Sequence, residues 1–178
     1  MSQNVPAALE GSAAGPRNGR LRAALPAPLT ATLGSCLWGA ATGTSALLSL
    51  LIEHWETPAL VRWVGILYAA GGVIAFPLAW TIAASVAGDR PKQTAFAAMF
   101  VSLGSMTMGV TALLYVLQYR SYYAEWHADA FTLTWVVQFA VTTLVALYQF
   151  AVLGIRLYFP VGFVALAAAS FWFARRSR

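Results

Sequence analysis

The stretch WVGILYAAGGVIAFPLAWTIAASVA, Trp63–Ala87, carries no charged residue. A helix needs about 20 apolar residues to cross a hydrocarbon core about 30 Å thick, and this stretch supplies them. Three further windows do the same: Thr30–Ile52, Thr94–Gln118 and Phe131–Leu153. A shorter apolar segment, Leu157–Ala174, follows after a Gly-Ile-Arg break. The expected fold is therefore all-α: a polytopic integral membrane helical bundle with four long transmembrane helices plus a shorter fifth hydrophobic segment.

Composition points the same way. Of the 178 residues, 60% are hydrophobic and only 10% charged, and the mean hydropathy is +0.67. A soluble domain usually carries about 25% charged residues, so a water-soluble fold is excluded. The longest polar stretch, residues 1–29, is rich in Ala, Gly, Pro and Ser. It cannot bury enough apolar surface to offset its ordering entropy and is expected to be a disordered arm. Residues 30–174 form the membrane domain, and 175–178 a basic tail.

The formal net charge of +5 is scattered; it reads as loop charge that orients the chain and not as a nucleic-acid surface. The single Cys36 excludes a disulfide framework and a CxxC redox pair. Leu33-Gly34-Ser35-Cys36 resembles a lipoprotein signal box with basic residues upstream. The short preceding stretch is interrupted by Pro26 and Pro28, however, and the chain after Cys36 stays apolar. A thiol inside a membrane helix is the better reading.

Orientation follows from arginine and lysine counts in short loops. Arg17, Arg20 and Arg22 precede the first span, and Arg90 and Lys92 lie between the second and third. The other two loops hold one each, Arg62 and Arg120. These counts place the N-terminus in the cytoplasm of a plasma (inner) membrane. Arg175, Arg176 and Arg178 want the same side, which requires an even number of crossings. Residues 131–173 carry a single charge, Arg156. That residue would cost about 2.5–3.5 kcal/mol at the bilayer centre, so it belongs at an interface. Gly154 before it and Pro160 after it, suited to a first helical turn, suggest a hairpin at Gly154–Tyr158. The last segment is then a fifth span, or a re-entrant or interfacial helix that satisfies the charge rule.

Lipid tails are as apolar as leucine, so membrane helices associate by close packing and interhelical hydrogen bonds. Ser35, Gly39 and Gly43 in the first span, and Ser105 and Gly109 in the third, have the small-xxx-small spacing that lets backbones approach. Gly71, Gly72 and Pro77 predict a kink in the second span. In the fourth, Thr134, Gln138, Thr142 and Gln149 fall on one helical face. This stripe reads first as structural glue and second as a polar lining for a substrate, quinone or water path. Nothing acidic or basic lies deep in any span, which argues against a proton relay.

One constellation could carry chemistry. His54 lies in Glu53-His54-Trp55-Glu56 and His127 in Glu125-Trp126-His127-Ala128-Asp129, both at the same end of the expected bundle. Two imidazoles and the carboxylates of Glu53, Glu56, Glu125 and Asp129 could ligate a divalent metal. The two histidines could alternatively hold haem b. The spacing matches no compact ligand motif. Loops must be polar in any case, and Trp55, Trp63, Tyr119, Tyr122, Tyr123 and Trp126 form an interfacial aromatic belt. Without a catalytic or phosphate-binding motif, the expected function is an accessory or structural membrane subunit. Its partners would be the lipid bilayer and other membrane proteins or further copies of itself, and no nucleic acid. A small metal- or haem-binding redox protein is the alternative.

Overall fold

The computed structural model describes residues 24–54 and 57–176. The arm ahead of Ala24, with Arg17, Arg20 and Arg22, lies outside the described residues, as do Trp55, Glu56, Ser177 and Arg178. Helix α1 spans Pro28–Ile52, α2 Pro58–Ala87 and α3 Lys92–Tyr123, the last followed by a 3₁₀ turn at Ala124–Trp126. Helix α4 spans Leu133–Gln149 and continues without a break as a π turn, Phe150–Gly154, and a 3₁₀ turn, Ile155–Tyr158. Helix α5 covers Val161–Arg176.

Local chemistry sets these limits. Pro28 and Pro58 stand in the first turns of α1 and α2, where the N–H that proline lacks would have no helical partner anyway. Helix α2 therefore starts at Pro58 and not at the first residue of the apolar window, Trp63. It runs through Pro77 and ends at Gly88, whose φ of 44° favours glycine. The hydroxyl of Thr132 accepts the Trp135 N–H and caps α4.

Four stretches are long and apolar enough to cross a membrane: Pro28–Ile52, Pro58–Ala87, Lys92–Trp126 and Leu133–Tyr158. The protein is an all-helical five-helix bundle of multi-pass membrane type. Helices α1, α2 and α3 pack side by side in sequence order, and α5 closes the bundle against α3. At the end that holds the start of α1, one core joins Phe76, Ala83 and Ala87 to Ala95, Met99 and Phe173. The Trp80 ring meets Phe173 edge-on at 4.9 Å between centroids. At the opposite end, Ala46, Leu50, Val61 and Tyr68 pack on Phe150 and Leu157.

The path of the last two helices departs from the expected one. Ser45 in α1 bonds the backbone at Leu157 and Gly162, so α5 begins beside the C-terminal half of α1. It finishes beside the start of α1, where Arg176 shares a groove with Leu29 and Thr30. Helix α5 thus runs antiparallel to α3 through most of the bundle, although the sequence marks it as the short segment. Helix α4 starts beyond the end of α3 and returns beside the end of α1, where Arg156 pairs with Glu53 at 2.8 Å. Between its contacts to Arg120 (Phe139) and Tyr115 (Gln149), roughly 15 Å of α4 passes roughly 7.5 Å of α3. The two helices cross obliquely, and the α4 stretch ends within the bundle, where Tyr158 meets Thr111 of α3. Only 11% of its apolar window is buried, against 39% for α1 and α2.

The chain reverses at Phe159-Pro160, a cis peptide bond, and not at Gly154, where the helix widens and carries on.

Candidate functional site

The small residues of α1 face α2. A Cβ at Gly39 would lie 2.8 Å from the Ala69 carbonyl oxygen, and one at Gly43 3.1 Å from that of Gly65. No side chain fits, so the two backbones touch as GxxxG contacts do. Ser35 is buried on the same helix. Ser105 and Gly109 of α3 are exposed, and a Cβ at Gly109 would meet nothing within 4 Å.

The polar residues of α4 divide. Thr134 is exposed. Gln138 accepts the Ala128 N–H at 2.9 Å and ties down the loop ahead of the helix. Thr142 bonds back to the carbonyls of Gln138 and Phe139 in its own helix. Gln149 alone reaches another helix, accepting the Tyr115 hydroxyl at 2.9 Å. Beside these contacts the Arg120 guanidinium sits 3.6 Å from the centroid of the Phe139 ring.

The side chains that hold the bundle together include several hydroxyls the sequence reading did not single out. Thr42 donates to the Tyr68 carbonyl at 2.9 Å, and the Trp38 indole N–H donates to the Thr107 hydroxyl at 2.9 Å. Ser45 donates to the Leu157 carbonyl at 2.9 Å and accepts the Gly162 N–H at 3.1 Å. Ser49 donates to the Phe159 carbonyl, Tyr68 to that of Gly154 at 2.6 Å, and Tyr158 to the Thr111 hydroxyl. The physical cause is the irregular backbone between α4 and α5. Non-helical carbonyls at membrane depth must find partners within the protein, and α1 and α2 supply them. A sequence signal exists: Ser35, Trp38, Thr42, Ser45 and Ser49 repeat at alternating three- and four-residue spacing, which is one helical face.

The π turn borders a cavity of about 320 Å³. Its walls include Leu60, Val64, Leu67, Phe150 and Leu153, with Gln149 among the few polar groups. π turns recur at functional sites, and the cavity lies at the end of the bundle that carries the histidine loops.

Those loops do not form a compact centre among the described residues. No group of three or more His, Cys, Asp or Glu is close enough to hold a metal ion there; Glu56 is outside the described residues. His54 occupies a left-handed turn, φ 55°, just after α1. The carboxylate of Glu53 faces Arg156. Glu125 lies in the 3₁₀ turn after α3, and the His127 N–H bonds the Ala124 carbonyl. Asp129 contributes its carbonyl to the Thr132 hydroxyl.

The chain matches no family model, no curated protein and no solved structure. The residues and their arrangement alone carry the functional reading.

Proposed function

We propose that this multi-pass membrane protein is an accessory or structural subunit that docks another membrane protein along α4. The observation that carries the reading is the mismatch between the apolarity of α4 and its burial. It has the highest mean hydropathy of the four long stretches, 1.9, and the smallest buried share. Val137, Val141, Leu144, Tyr148 and Val152 all stand exposed along it. Arg90, Lys92, Arg175 and Arg176 stand at the end of the bundle where α1 begins. The positive-inside rule makes that side cytoplasmic, with the N-terminus there too and the histidine loops outside. The membrane would be the plasma (inner) membrane.

The test is site-specific photo-crosslinking in intact cells with p-benzoylphenylalanine at Leu144, compared with the exposed Val101 of α3. A discrete protein adduct at Leu144 and none at Val101 is expected. Lipid adducts alone at both positions would overturn the docking role. For orientation, single cysteines at Asp89 and Glu125 in a Cys36→Ser background are labelled with an impermeant maleimide. Glu125 should react and Asp89 should not; the reverse pattern inverts the topology.

A further inference from the structure

A groove of about 540 Å³ opens between α1 and α5 at the end where α1 begins. Leu33 and Leu37 form one wall and Ala165, Ala168 and Ala169 the other. Alanine on α5 leaves the space open. Along α1 the groove runs from Leu29 to Ala41, roughly 18 Å, and along α5 from Ala165 to Arg176, roughly 16 Å. One leaflet of a bilayer has a hydrocarbon depth of roughly 15 Å, half of the core. The groove is therefore about as long as the hydrocarbon depth of one leaflet.

Its rim is cationic. Arg176 borders the groove and lies 4.4 Å from the centroid of the Trp172 ring, with Arg175 over Phe171 at 4.2 Å. Neither guanidinium has a carboxylate within ion-pair distance among the described residues. Arg90 and Lys92 stand at the same end, against a single described acid, Asp89. A guanidinium at the membrane edge with a free face suits a phosphate, which it can grip with two parallel hydrogen bonds. Basic pockets between membrane helices bind anionic head groups by this logic. A partner helix would also cover apolar walls, but it would leave the arginines without an anion.

From this combination of depth, apolar walls and rim charge without a carboxylate partner among the described residues, we infer that the α1–α5 groove binds an anionic phospholipid. One acyl chain lies along Leu33, Leu37 and the alanine face, and the phosphate meets Arg175 and Arg176. The inference shares with the proposed function only the placement of the bundle across a bilayer, and it does not involve α4.

The test uses the full-length protein, delipidated in neutral detergent. Phosphatidylglycerol or phosphatidylcholine with identical chains is titrated in, and bound lipid is counted by native mass spectrometry. Phosphatidylglycerol should be retained at least tenfold more tightly. Ala168→Trp, which fills the groove from an exposed position, should lower its binding about tenfold, whereas Val101→Trp on α3 should not. The R175Q/R176Q pair, whose exposed side chains leave folding intact, should abolish the head-group preference while chain binding persists. Equal retention of the two lipids, or insensitivity to both variants, would overturn the inference. So would self-association that disappears in Ala168→Trp, which would assign the groove to a second copy. Failure here would leave the Leu144 crosslink unchanged, so the two readings fail separately.

Discussion

Replacing Ser45 with alanine removes one oxygen and opens almost no space, yet it unties two backbone groups at once. Ser45 is 1% exposed; its hydroxyl accepts the Gly162 N–H and donates to the Leu157 carbonyl. Gly162 lies in the first turn of α5, where helix N–H groups have no intrahelical partner. Without Ser45 that donor is buried and unpaired, at a cost of about 1–3 kcal/mol. The Leu157 carbonyl retains only Ser49 at 3.5 Å, too long for a full bond. Interhelical hydrogen bonds in membrane proteins average about 0.6 kcal/mol by double-mutant cycles, which draws the total toward the lower end. A loss of about 1.5–3 kcal/mol follows, or roughly a tenfold to hundredfold fall in the folded-to-unfolded ratio. Unfolding by SDS in mixed micelles, followed by tryptophan fluorescence, measures it. The control is Ser105→Ala, an exposed serine on α3, which should change stability by less than about 0.5 kcal/mol. Hydrogen exchange should also accelerate around Phe159–Gly162. Equal effects of Ser45→Ala and Ser105→Ala would refute the claim that α1 side chains hold the α4–α5 reversal.

Tyr68→Phe strips the donor from the Gly154 carbonyl at the π turn and should cost about 1–2 kcal/mol in the same assay; Tyr122→Phe, at an exposed position, should be silent. Gly39→Leu should sharply reduce the yield of folded protein, because a Cβ there already meets Val73 and the Ala69 carbonyl. Gly109→Leu, facing open space, should fold normally, and equal yields for the two would rule out close α1–α2 contact. Arg156→Gln should lose under about 1 kcal/mol, since its ion pair with Glu53 is 48% and 33% exposed on the two sides. A loss above about 2 kcal/mol would mean that the pair is shielded from water.

Several structural features were legible in the sequence for simple reasons. Uninterrupted apolar windows admit only helices in a bilayer, because each backbone group must be satisfied within its own segment. The Gly39–Gly43 spacing marked a surface without side chains, and such a surface packs closely wherever a neighbour faces it. The same motif at Ser105–Gly109 is exposed among the described residues, and spacing alone cannot distinguish the two. The polar stripe of α4 shows the same limit: its residues share one helical face by spacing, but only Gln149 meets a different helix.

By itself the sequence determined the class of protein and the number of apolar segments. Hydropathy and charge act residue by residue, so they can be read without knowing any contact. Tertiary structure alone decided how the last two apolar segments pack. The shorter segment, as α5, packs against α3 and α1, while the more apolar α4 stretch is only 11% buried. The reason is where satisfied partners exist. Ser45, Ser49 and Tyr68 converge on the carbonyls of the irregular turn and hold the start of α5 deep between α1 and α3. Hydropathy records what a helix avoids; the position of those three hydroxyls records what it binds, and that depends on residues more than a hundred positions away in two of the three cases.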